Sequence, residues 1–125
     1  MREIKFRAWD AHKRMWTEYK IHNGAVYFLD KSTGVWVGKY DKRYKEFDFM
    51  EYSGLRDKNN KEICEGDIVT LHNGKYKVIF NSKEARFVLR DDEFEMNIPF
   101  TNNNNKRMEI VGNIYENPEL IGEVM

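Results

Sequence analysis

The residues best able to do chemistry in this chain are cations interleaved with flat rings. Lys5, Arg7, Trp9, Arg14, Trp16, Trp36, Lys39 and Tyr40 crowd into its first third. Rings stack on bases and cations meet phosphates, so the mixture has the ingredients of a single-strand nucleic-acid platform. Lys5, Arg7, Trp9, Arg14, Trp36 and Lys39 are the candidate contacts. Alternation sets Trp9 beside Lys5 and Arg7, opposite Ile4, Phe6 and Ala8, and so on the solvent side. The competing reading is that rings in a small β protein build its core, and that an outward Trp9 covers another part of the chain.

Other chemistries find less support. His12, His22 and His72 lie far apart, with one cysteine, Cys64, and no paired spacing of the kind zinc requires. The run Asp91-Asp92-Glu93, followed by Glu95, lacks the spaced ligands and glycine of a calcium loop and reads as a solvated hairpin tip. Nothing in the sequence sets an activating group beside Cys64, which reads as a buried structural thiol. The eight glycines are scattered at turns and form no phosphate cradle. With 21 acidic residues a carboxylate pair could converge in space, but no spacing singles one out. The expectation is therefore a chain with no catalytic residues, no metal and no cofactor.

The elements that must position these groups are strands. Alternation of period two runs through Ile4–Trp9, Met15–Ile21, Ala25–Leu29, Val35–Val37 and Phe47–Tyr52. Asn23-Gly24 and Asn73-Gly74 are strong hairpin signals, each with a histidine just before it. Lys39–Glu46 reads as a loop or a short helical turn. Past the polar loop Asp57–Lys61 come five strands: Asp67–Leu71, Lys75–Phe80, Arg86–Arg90, Phe94–Phe100 and Met108–Tyr115. A polar turn, Asn102–Asn105, joins the last two, and Pro118 opens a terminal turn. The fold class is mostly β with little helix: an N-terminal antiparallel hairpin sheet packed on a C-terminal five-stranded SH3-like small barrel. The boundary is set between residues 1–61 and 62–125, the two forming one structural unit.

Composition bounds the rest. At 125 residues, 41% hydrophobic and 34% charged, the chain is globular, and no apolar run approaches the roughly 20 residues of a membrane span. A single cysteine and an N-terminus without a signal-peptide core point to the cytoplasm. The net charge of zero conceals a division. Through Lys61 there are 14 Lys/Arg against 9 Asp/Glu, and from Glu62 onward 7 against 12. Opposite charges on two halves suit an anionic partner or a head-to-tail contact between copies, while ordinary solvated faces are the plain alternative.

Three stretches resemble the YopX family of bacteriophage and prophage proteins. They are Ile4-Lys5-Phe6-Arg7-Ala8-Trp9-Asp10 with Met15-Trp16, the run Tyr52–Val69 containing Ser53-Gly54-Leu55-Arg56-Asp57 and Glu65-Gly66-Asp67, and Val111–Leu120 with its Gly112-Asn113-Ile114-Tyr115-Glu116-Asn117-Pro118. Asn60 stands where that family commonly has a turn glycine, and Cys64 where it commonly has tyrosine. The resemblance implies a β-rich phage product of the bacterial host cytoplasm and carries over no catalytic or ligand residue. The function expected is that of a non-enzymatic accessory protein that binds a host or phage protein or a second copy of itself, without membrane contact. The alternative is a nucleic-acid-binding module using the first half, and the remotest is an enzyme with a carboxylate-based site.

Overall fold

A computed structural model describes residues 5–100 and 105–121. Ile4 of the expected first strand, and Asn102–Asn104 of the expected polar turn, lie outside the described residues. The chain is mostly β, with twelve strands and three short 3-10 helices among the described residues. It divides into two units, Lys5–Met50 and Glu51–Met125. The division falls inside a strand, ahead of the Asp57–Lys61 loop at which the charge pattern changes.

The N-terminal unit begins with β1 (Phe6–Asp10), which pairs with β2 (Met15–Thr17) through Trp9↔Trp16. The expected strand Met15–Ile21 is two strands. At Glu18 the chain changes partners, and β3 (Tyr19–His22) pairs instead with β4 (Ala25–Asp30). β4 in turn pairs with β5 (Val35–Val37), giving the order β3-β4-β5. Lys42–Glu46 is a single 3-10 turn whose N-cap, Asp41, accepts the Arg43 amide. The first half of β6 (Phe47–Arg56) lies beside β1. Phe28 and Phe47 stack at 5.0 Å, Phe6 and Phe49 at 4.2 Å, and Ala8 and Val37 close the core around them. Most of the aromatic excess is spent here, on burial.

In the C-terminal unit β6 continues and pairs with β7 (Glu62–Cys64), a short strand the alternation did not reveal. The pairing register shifts between Tyr52 and Arg56, and Gly54 within that bulge has φ +92°, a conformation that a side chain disfavours. β8 (Asp67–Leu71), β9 (Gly74–Asn81), β10 (Arg86–Asp91), β11 (Met96–Pro99) and β12 (Glu109–Asn113) are the five expected strands. They form a curled antiparallel sheet, a half-barrel, in the order β11-β10-β9-β8-β12. Ile63, Val69, Leu71, Val78, Phe87, Leu89 and Met108 make its core. Pro118–Ile121 forms the expected terminal turn.

The two His-Asn-Gly hairpins are built differently. In the first, His22 pairs with Ala25, so the loop is Asn23-Gly24, with φ +50° and +77°. In the second, Leu71 pairs with Gly74, so the loop is His72-Asn73, with φ +49° and +69°. Both loops have positive φ at both residues, as a two-residue type I′ turn demands. His72 therefore sits within its turn rather than before it.

Candidate functional site

The six residues expected to form a nucleic-acid platform differ in exposure. Trp9 is 3% exposed and packs edge-on against Trp16 with centroids 4.8 Å apart. Its outward placement fails because Ala8, Trp9 and Asp10 are all buried, so β1 is covered on both faces where it ends. Arg7 lays its guanidinium 4.8 Å over the Trp16 ring. Lys5 is half-buried, and Arg14 is exposed in the β1–β2 turn with φ +53°. Lys39 is exposed, its ammonium 5.1 Å over the ring of Tyr40, which is itself 92% exposed.

Trp36 alone of the three tryptophans reaches a different setting. Phe28 and Val37 point from β4 and β5 into the core, so their neighbours Tyr27, Leu29 and Trp36 point the other way. Lys20 opposes Tyr27 across the β3–β4 ladder, and Trp36 opposes Leu29 across β4–β5. The Lys20 ammonium lies 4.5 Å over the Trp36 ring and 5.8 Å from the Tyr27 ring. A Cβ on Gly38 would come within 2.8 Å of the Tyr27 ring, so the absence of a side chain there lets that ring lie against the backbone. Lys20 and Tyr27 were not singled out from the sequence. The signal that finds them is the two-residue Asn23-Gly24 loop, which fixes which residues of its strands face each other.

A second surface lies on the C-terminal unit. His72–Lys77, Arg90–Phe94 and the final turn at Leu120 and Ile121 line an open groove of about 880 Å³. Phe94 is 69% exposed at its edge. The groove's charges are largely paired among themselves. Asp92 accepts from Lys77 at 2.9 Å and from Arg90 at 3.0 Å, and these hydrogen bonds, Lys77 first, hold its carboxyl below the usual range. Asp91 caps its own turn by accepting the amides of Glu93 and Phe94.

Elsewhere the carboxylates do structural work. Asp30 is held well below the ordinary carboxylate range by hydrogen bonds from the Ser32 hydroxyl and from Lys13, and also meets Arg43 at 2.9 Å. Asp41 is lowered to about 2, chiefly by the Arg43 guanidinium. Buried Cys64 donates its amide to Asp67 at 2.8 Å, which turns the chain into β8. Asn113 accepts the amides of Tyr115 and Glu116. Asn60 takes φ +64°, the left-handed position a glycine would fill. The residues of the middle and final family-like stretches thus organise turns and corners. Among the described residues no three His, Cys, Asp or Glu side chains come together so as to hold a metal ion.

The comparisons with known proteins concern the same framework. The chain superposes with a TM-score of 0.66 on the crystal structure of protein EF1440 from Enterococcus faecalis, at 23% identity, covering 97% of this chain and 99% of that one. It superposes with a TM-score of 0.52 on the crystal structure of protein YopX from Bacillus subtilis, at 18% identity, covering 96% and 98%. At such identities the likeness is one of fold. No curated protein matches the chain. The family model for the YopX protein matches residues 5–122, nearly the whole length, and the chain belongs to the YopX family.

Proposed function

We propose that this chain is a non-enzymatic phage or prophage accessory protein that acts in the host cytoplasm by binding a host or phage protein. The groove of the C-terminal unit is the observation that carries this reading. Phe94 and the turn residues Leu120 and Ile121 offer apolar anchors. An exposed ring beside a concave surface is the usual anatomy of an anchor point for a protein partner. The pairing of Asp92 with Lys77 and Arg90 favours binding over catalysis, because a general acid or base needs a proton it can gain or lose near neutrality. A single cysteine, buried in β7, suits a reducing compartment. No helix among the described residues is long and apolar enough to cross a membrane.

The test is in-cell cross-linking of wild type, Phe94→Ser and Leu120→Ser, with the captured partner identified by mass. One reproducible host or phage protein captured by wild type and lost with both variants is the expected result. Equal capture by all three would remove the groove from consideration.

The charge of the other unit supports a second reading. Lys5–Met50 holds ten Lys/Arg against six Asp/Glu, a net of +4. Such a unit suits contact with nucleic acid.

A further inference from the structure

We infer that the outward face of the β3–β4–β5 sheet is a stacking platform for the bases of single-stranded nucleic acid, built from Tyr27 and Trp36 with Lys20 between them. The inference deepens the nucleic-acid reading and rests on it. Three observations carry it. The two rings lie on the side of the sheet opposite the core residues Phe28 and Val37, so the N-terminal unit's core does not account for them. An ammonium 4.5 Å over Trp36 shows that the ring presents an electron-rich face to a ligand-sized group. The face also belongs to a unit of net charge +4, with Lys39 and Tyr40 just past β5, after Gly38.

Lys20 acts as a placeholder in this arrangement. A base that stacks on Trp36 displaces the ammonium, which turns on its flexible stem toward the adjoining phosphate. Base–ring stacking outweighs an exposed cation–π contact, and the displaced cation gains a charged partner, so the exchange is favourable. The ligand must be single-stranded, because a duplex keeps the faces of its bases against one another. Gly38 contributes by leaving room for Tyr27 to lie flat.

The experiment uses the full chain and fluorescently labelled oligo-dT of about a dozen nucleotides, read by anisotropy across a salt series, with a duplex of equal length beside it. Wild type is expected to prefer the single strand. Trp36→Leu and Tyr27→Leu should each weaken binding about tenfold. Lys20→Gln should lower the slope of log affinity against log salt by about 0.7. Trp36→Phe should bind nearly as wild type yet lose most of the oligonucleotide-induced quenching of tryptophan emission, since Trp9 is buried and Arg7 lies over Trp16. If Trp36→Leu fails to fold, Lys20→Gln and Trp36→Phe still decide the matter. Binding that is strong but indifferent to Trp36→Leu, Tyr27→Leu and Lys20→Gln would overturn the platform and leave nucleic-acid binding to another surface. Equal affinity for duplex would overturn it too. No binding by wild type at low salt would end the nucleic-acid reading itself.

Discussion

Asp57 shows how a single polar side chain can hold a fold together. It is 4% exposed, and its carboxylate accepts the amides of Asn59 and Lys61 in its own loop and of Ile110 in β12. Burial pushes its pKa up, but those amides pull harder, and the group stays below the ordinary carboxylate range. Asp57→Ala would leave three amides without their acceptor and is expected to cost about 3 kcal/mol in urea unfolding. A loss under about 1 kcal/mol would mean that water replaces the carboxylate. Asp48 presents the reverse case. Burial alone raises its pKa, so the folded state holds the proton more tightly than the unfolded one. Its contribution falls as pH rises through that raised value and is unfavourable at neutrality. Asp48→Asn should therefore stabilise at pH 7 by about 0.5 kcal/mol at most, the group being half exposed, and the gain should vanish below about pH 4. A gain of equal size at both pH values would show packing, not charge, at work.

At the level of elements, the His72-Asn73 loop is one of the places where the chain accepts strain. Histidine at φ +49° occupies a region that costs an ordinary L-residue about 1 kcal/mol, whereas asparagine enters it readily. His72→Asn is expected to stabilise by roughly 0.5–1 kcal/mol and to raise the thermal midpoint. An unchanged midpoint would mean that His72 makes a compensating contact. The same hairpin marks the limit of what alternation and turn signals reveal. They located all five strands of the half-barrel and the hairpins around Asn23-Gly24 and Asn73-Gly74. They did not reveal that a strand changes partners at Glu18, because nothing in Met15–Ile21 interrupts the alternation. They misplaced Trp9 because a strand covered on both faces offers no solvent side for alternation to mark. Trp36 and Lys39 were legible as candidates, while Lys20 and Tyr27 join Trp36 only through cross-strand pairing.

Over the whole molecule, the division of charge seen in the sequence persists between the two structural units. The Lys5–Met50 unit carries +4, while Glu51–Met125 holds ten Lys/Arg against fourteen Asp/Glu, a net of −4. Two copies could meet through unlike units, and such an association is electrostatic and hence screened by salt. Sedimentation at low ionic strength should then report a mass above that of the monomer, falling to monomer at high ionic strength. A monomer at both would remove self-association from the list of partners.

The two His-Asn-Gly hairpins carry one more implication. Between them the loop slides by one residue, and the facing positions therefore slide by two: Ile21 faces Val26, but its counterpart Leu71 faces Gly74. A slide of two returns every side chain to its own side of the ladder, so Val26 and Phe28 in one hairpin and Tyr76 and Val78 in the other all point to their cores. A bend can thus migrate along a ribbon while the interior keeps its residues. Families of such proteins have in this a route by which strand alignment drifts between relatives without any core being turned inside out.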